Sequence, residues 1–516
     1  ISKTQLSLDA VERRKFIQLT GLGSIPLIFG ACSIPEMEEG YDVAVDSNRL
    51  RGHVLREQLS KPVAATFENE LLIIGGGVAG VAAYVTAQQE GKDVALLETN
   101  SYLGGSAGGG NFKSARFAKG AHYDLIYPSY YGKDALALLK IAQVIEQNEF
   151  TKEYHFVDAQ YLIDPKKEST CIRFGKRVHE PLSDFEDLPV FEKLLQPYLG
   201  KMPMPTRLIP QELHALNNLD FHTWLMQQHS FSDEFIRAVD YQMLDDWGGT
   251  SKEVSAIAGI HYYMCRDYSQ SPELLSPPEG NLYFVEKLLG LSDYQNIHLN
   301  TLAAHIQETE NGFEVKAYNF EKDQVELFKA KQIVYAGQKH SLQYVFPRAH
   351  RPELMAEASA WVSINFVHPR PKEKVENVFW QNDFIGENKN FMGFSDSRAQ
   401  FDYIEKYDVL TAYYCFSPEE REKLIAFEKD PSGIIEQTIA YLKESLGENY
   451  PEKLKYVNVN ILGHAMPLPK PGYLLNDWNQ NRPVQNFTYA GVDTGNLPLF
   501  FEALDSGIRA VRKLQS

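Results

Sequence analysis

The chain has 516 residues, 44% of them hydrophobic and 12% aromatic, which is enough apolar material for two or three cores and argues against a disordered chain. With 51 basic against 68 acidic residues, the net charge of −17 argues against nucleic acid or an anionic membrane surface as the main partner. No apolar run reaches the length of a bilayer span. Cys32, Cys171, Cys265 and Cys415 are widely spaced with no C-x-x-C, so neither a zinc site nor a disulfide framework is expected, and no metal.

Residues 1–32 read as an address. Arg13-Arg14-Lys15-Phe16-Ile17, preceded by Glu12, resembles a twin-arginine (Tat) export signal, and a weakly apolar stretch over residues 19–31 follows it. Phe29-Gly30-Ala31-Cys32 resembles a lipoprotein cleavage box that would make Cys32 the lipidated first residue. Together they imply export of an already folded protein to the periplasmic side of a bacterial envelope, with a lipid anchor at Cys32. Residues 33–68, polar and punctuated by Pro35, Gly40, Gly52 and Pro62, read as a linker without chemistry.

Residues 71–98 organise the rest. Leu71-Leu72-Ile73-Ile74 is a short run with no polar face, as expected of a parallel strand covered on both sides. Gly75, Gly77 and Gly80 then form G-x-G-x-x-G, with Val78 and Ala79 between the last two. The first glycine permits the turn, the second admits a pyrophosphate, and the third lets the helix pack on the sheet. Gly91 ends that helix, Val94 to Leu97 forms a second buried strand, and Glu98 stands at its end, where a carboxylate accepts from ribose hydroxyls. A carboxylate rather than an arginine there favours an unphosphorylated ribose, hence FAD or NAD over NADP. Gly104, Gly105, Gly108, Gly109 and Gly110 follow, as a backbone running close against a ligand requires.

The G-G-G-V-A-G-V-A-A-Y run, with Leu-Leu-Glu98 and Leu103-Gly104-Gly105, resembles the FAD-dependent oxidoreductases that include flavin amine oxidases and phytoene-type desaturases. The resemblance implies an α/β fold: a Rossmann-like, glutathione-reductase-like FAD-binding domain with an inserted α+β substrate domain. FAD is the cofactor it implies. Gly75, Gly77, Val78, Ala79, Gly80, Glu98, Gly104, Gly105 and Ser106 would line the cofactor, although Tyr102 and Ser106 stand where many relatives carry an arginine. The expected division is an FAD-binding domain over 69–129, 278–345 and 460–516, with a substrate domain over 130–277 and 346–459.

In the middle segment, Phe221-His222-Thr223-Trp224-Leu225 opens an amphipathic helix, and Asp245-Asp246-Trp247-Gly248-Gly249 closes another. Residues 282–291 read as a helix, and Ile297 to Asn300, Gly312 to Ala317 and Gln332 to Gly337 as strands. By the resemblance, Val315 would lie near the adenine and Ala336 near the FAD. Residues 361–368 alternate as a strand with one lined face; relatives often carry a lysine on the comparable strand, and Ser363 occupies that place here.

The closing segment is a second motif: Phe487-Thr488-Tyr489-Ala490-Gly491-Val492-Asp493 leads through Pro498 and Leu499 into an amphipathic helix. It resembles the family's last motif, which implies that Gly491, Asp493 and Leu499 contact the cofactor. Asp493 would bind the ribityl chain while the helix N-terminus faces the flavin pyrimidine. Gly463-His464-Ala465-Met466-Pro467 resembles a flavin-bordering segment, so His464 joins Ser363 as a candidate catalytic residue. The implied activity is hydride transfer from a small organic substrate to the flavin N5, an amine first. The alternatives are a desaturase or isomerase acting on an apolar substrate, and a non-catalytic flavin subunit of a cell-envelope complex.

Overall fold

The computed structural model describes residues 40–47, 49–53, 59–120, 132–265, 273–372, 375–376, 378–399 and 406–515. Two sheets dominate. The first has seven strands, with Ile297–His298, Val94–Leu97, Val63–Ile74, Gln324–Tyr335 and Phe487–Tyr489 running parallel. Gly312–Asn319 and Thr301–Thr309 extend it as an antiparallel meander. Leu71, Leu72, Ile73 and Ile74 are all buried, whereas the preceding half of the same strand alternates toward solvent. That change marks where the parallel part is covered on both faces, by helix residues such as Val81 and Leu504 on one and by Phe313, Leu342 and Trp478 on the other. Helix Val78–Gln89 lies on one face, flanked by Leu282–Leu289 and the closing helix Phe500–Arg512. On this sheet the expected Rossmann-like fold is observed.

The second sheet has eight strands, in the order Asp42–Ser47, Tyr456–Pro467, Ala358–Pro369, Tyr407–Phe416, Phe391–Asp396, Gln381–Ile385, Ser169–Arg173 and Lys176–Val178. Alternation sends successive side chains to opposite faces. Tyr413 and Cys415 thus join the core under helices Phe221–Gln228, Asp233–Trp247 and Ala256–Met264. Tyr414 and Phe416 join the core under Ser432–Leu446. As expected, Gly248 adopts the left-handed conformation (φ 75°) that stops helix Asp233–Trp247.

Three boundaries differ from the expectation. Residues 33–68 are more than a linker: Asp42–Ser47 pairs in parallel with Tyr456–Pro467, Arg49–His53 is a short helix, and strand Val63–Ile74 begins within this stretch. Strand Tyr456–Pro467 runs through the boundary expected at 459, so residues 460–467 belong to the second sheet. Helix Lys133–Ile141 packs its Ala135, Leu138 and Leu139 into the core of the first sheet. No described helix is long and apolar enough to cross a membrane. Arg13, Arg14 and Cys32 lie outside the described residues.

Candidate dinucleotide site

The first glycine turn divides its labour. A Cβ on Gly80 would lie 1.8 Å from Gly75 O, and one on Gly75, whose φ is +105°, would lie 2.7 Å from Gly337 N. Both positions are therefore demanded by the fold itself. A Cβ on Gly77 would meet nothing closer than 4.0 Å, at Gly104 O and Gly105 Cα. The space before Gly77 faces the start of helix Val78–Gln89, which has no side-chain cap, so its first-turn amides remain to bind an anion there. Val78 and Ala79 form that first turn, and Ala79 O would lie 2.1 Å from a Cβ on Gly507. Gly507 thus sets the closing helix directly against the phosphate-facing one.

Leu103, Gly104 and Gly105 lie against the turn. Gly104 N–H donates to Gly76 O at 2.8 Å, and a Cβ on Gly105 would come within 3.1 Å of Gly77 Cα. Ser106 is exposed beyond them. Glu98 is buried at the end of its strand, with Oε2 accepting from Gly76 N–H at 2.6 Å and Oε1 from Asn100 N–H at 2.7 Å. Burial pushes its carboxyl above the ordinary value, opposed by these backbone donors. Each carboxylate oxygen has a second lone pair, so the ribose can still be accepted. Asn300 and Thr301 adjoin it: Thr301 N–H donates to Glu98 O at 2.7 Å, and Asn300 N–H to Asn100 O at 2.8 Å. Val315, by contrast, is fully buried in the core of the sheet with Leu72, Ala95 and Leu97, so its side chain has no path to a ligand.

The second turn meets the closing motif. Ala336 N–H donates to Ile74 O at 2.8 Å, which sets Ala336 beside the first turn. Lys339, 1% exposed, donates from Nζ to Asp493 Oδ1 at 2.9 Å, Ala490 O at 2.7 Å and Gly337 O at 2.9 Å. Its backbone N–H donates to Asp493 Oδ2 at 2.9 Å. Burial pulls this ammonium below its ordinary value while Asp493 pushes it back. Gly491 makes room for the pair, since a Cβ there would lie 2.7 Å from Asp493 Oδ1 and 3.1 Å from Lys339 Nζ. Helix Phe500–Arg512 follows, with Leu499 at its uncapped start. Glu502 accepts from Thr206 N–H at 2.7 Å, and Asp505 takes both ends of the Arg207 fork at 2.7 Å. Burial pushes the Glu502 carboxyl up to about 7, against the Thr206 donors.

The two catalytic candidates lie on the second sheet. Ser363 is buried and donates to Lys119 O at 2.5 Å; Asn365 Nδ2 donates to Ala118 O at 2.9 Å beside it, and Asn460 Nδ2 also reaches Lys119 O. These groups fasten the second sheet to the strand that follows the glycine loop. The His464 ring stacks on His340 at 4.2 Å and 29°, and its carbonyl accepts from Gln338 Nε2 at 2.9 Å. His464 therefore borders the second turn. A separate cleft lined by Arg116, Ser276, Trp380, Ser395 and Thr411 shares no residue with either turn, and Arg116 is already paired with Glu279 and Glu286. Among the described residues no cluster of three or more His, Cys, Asp or Glu could hold a metal.

Lys339, Gly507, Asn300 and Arg51 escaped the sequence reading. Arg51 Nη1 donates to Thr99 O at 2.8 Å and Asn300 Oδ1 at 3.1 Å, placing a guanidinium from the supposed linker next to Glu98. A lysine after Ala-Gly or an arginine in a polar stretch looks like surface; only the tertiary contacts distinguish them.

Residues 73–137 match the NAD(P)-binding Rossmann-like domain family. No curated protein matches the chain by sequence. Among solved structures, a triple mutant of putrescine oxidase with redesigned cofactor binding is similar at TM-score 0.63 and 15% identity, over 87% of this chain and 99% of that one. Cyclohexylamine oxidase from Brevibacterium oxydans is similar at 0.59 and 15%, over 86% and 97%. A candidate protoporphyrinogen oxidase from Exiguobacterium is similar at 0.59 and 14%, over 88% and 99%. At such identities the likeness is one of fold, and it extends over both sheets.

Proposed function

We propose that this chain is an FAD-dependent oxidoreductase that oxidises a small organic substrate, an amine before other classes. The observation that carries the reading is the convergence of both glycine turns and the closing motif: Gly75 packs on Ala336 and Gly337, and Lys339 binds Asp493. A single nucleotide turn would serve NAD equally; the second turn joined to an uncapped closing helix provides for a longer, two-ended cofactor. The cradle fits such a group, because the space in front of Gly77 is one that a side chain would fill, while Gly105 packs closely against Gly77 beside it.

Bound FAD supplies a hydride acceptor at its flavin N5. The first-turn amides of helix Val78–Gln89 would hold the pyrophosphate, Glu98 would accept from the ribose, and Asp493, oriented by Lys339, would accept from the ribityl hydroxyls. The uncapped N-terminal amides of helix Phe500–Arg512 would favour negative charge on a flavin bound before them. The substrate sheet brings aromatic walls: the Trp361 and Tyr413 ring centres lie 6.4 Å apart, and the buried Trp361 Nε1–H has no acceptor among the described residues. His464 and Ser363, both on that sheet, are the candidates for handling a proton.

The amine preference is supported by the fold likeness to putrescine oxidase and cyclohexylamine oxidase. The net charge of −17 also attracts cations. The reading is tested by mixing the yellow protein anaerobically with panels of primary amines, diamines and unsaturated apolar compounds. Bleaching of the visible flavin band by an amine is the expected result; bleaching by the apolar panel alone would move the substrate class, and none at all would point to a non-catalytic subunit. The proposed location is the periplasmic side of the envelope, reached by Tat export and held by lipid at Cys32; it rests on the Arg13-Arg14 and Phe29 to Cys32 motifs.

A further inference from the structure

We infer that Arg51 is an adenosine-binding residue of the dinucleotide site, brought to it by the N-terminal segment; this rests on the FAD reading above. The segment is fixed to both halves of the molecule. Strand Asp42–Ser47 pairs with Tyr456–Pro467, Asp46 Oδ2 meets Lys119 Nζ at 3.0 Å, and Arg49 Nε meets Glu428 Oε2 at 2.7 Å. That anchoring sets Arg51 over the carboxyl ends of strands Val94–Leu97 and Ile297–His298, the edge at which α/β sheets read a nucleotide. Its contacts are the residue after Glu98, through Thr99 O at 2.8 Å, and Asn300 Oδ1 at 3.1 Å; the guanidinium carbon lies 5.2 Å from the centre of the Phe320 ring.

Those contacts use Nη1 alone. The Nε–H and Nη2–H groups donate to no described residue, and no described carboxylate lies in ion-pair reach. A partly buried guanidinium loses hydration for its unused donors unless a ligand accepts from them. Ribose oxygens and the ring nitrogens of adenine are acceptors of the right kind, and the planar fork can also lie against a purine face. A phosphate on the ribose would also attract the guanidinium, but the Glu98 carboxylate shares the position and would repel it. The geometry therefore points to unphosphorylated adenosine.

The test is titration of flavin-stripped protein with FAD, FMN, ADP and 2′,5′-ADP, in the wild type, Arg51→Ala and Arg51→Lys. Arg51→Ala should weaken FAD and ADP alike by about tenfold to a hundredfold, with Arg51→Lys recovering part of the loss and FMN affinity unchanged in both. Unaltered FAD and ADP affinity in Arg51→Ala would overturn the inference, as would an equal loss for FMN, the mark of a structural role. Tighter wild-type binding of 2′,5′-ADP than of ADP would overturn the choice of an unphosphorylated ribose. Wild-type protein that binds neither FAD nor FMN would instead overturn the flavin reading.

Discussion

Lys339 and Asp493, on turns far apart in sequence, form one unit: Nζ lies 2.9 Å from Oδ1 while the Lys339 backbone N–H holds Oδ2 at the same distance. The lysine side chain is 1% exposed and the aspartate 28%, so the carboxylate looks outward from a buried counter-charge. Asp493→Ala leaves an ammonium buried without its partner, a loss of about 3–5 kcal/mol in the apoprotein. It should also lower FAD affinity about tenfold to a hundredfold through lost ribityl contacts. Adding Lys339→Met should restore much of the thermal stability and none of the affinity. Thermal unfolding and flavin titration of the three proteins check this; an Asp493→Ala apoprotein as stable as wild type would contradict it.

The glycines of the first turn separate folding from binding. Gly77→Val has room within the protein, yet its side chain enters the space in front of the helix. It should fold with near-normal apoprotein melting and bind no FAD. Gly80→Ala drives a methyl to 1.8 Å from Gly75 O and should fail to accumulate as folded protein. Flavin content per folded chain distinguishes the two; normal content in Gly77→Val would place the phosphate elsewhere.

Glu502 links stability to pH. Its folded carboxyl titrates at about 7, above its ordinary 4.5, so the folded state binds the extra proton. That contribution is fully present below pH 4.5 and is lost as pH rises through 7. Glu502→Gln lacks the titration. The stability difference between variant and wild type should therefore shift in the variant's favour by up to about 3 kcal/mol from pH 4.5 to pH 8. A difference that stays constant with pH would contradict the assignment.

The first βαβ unit was legible because its constraints are local: an apolar run, glycines where a Cβ cannot fit, and an acid at the next strand's end. The closing motif was legible for the same reason. Lys339 and Arg51 were not, since their partners lie 154 and 249 positions away, and nothing near either residue in sequence announces burial. Strand Asp42–Ser47 did carry a signal, the short apolar run Val43-Ala44-Val45 between Asp42 and Asp46, which its polar surroundings disguised. Val315 was placed by resemblance to a strand that the fold turns inward, while Asn300 and Thr301 took the position beside Glu98.

Export makes a separate prediction. Replacing Arg13 and Arg14 by lysine should leave flavin-loaded protein in the cytoplasm, and Cys32→Ala should release mature protein from the membrane or block its maturation. Cell fractionation reads both; unchanged distribution in both variants would remove the proposed address.

The most direct test of the central claim is the identity of the bound nucleotide. Acid extraction of purified protein, followed by chromatography and mass measurement, should release FAD in a one-to-one ratio with the chain. Release of NAD or NADP instead, or of no nucleotide from protein expressed with ample riboflavin, would contradict it.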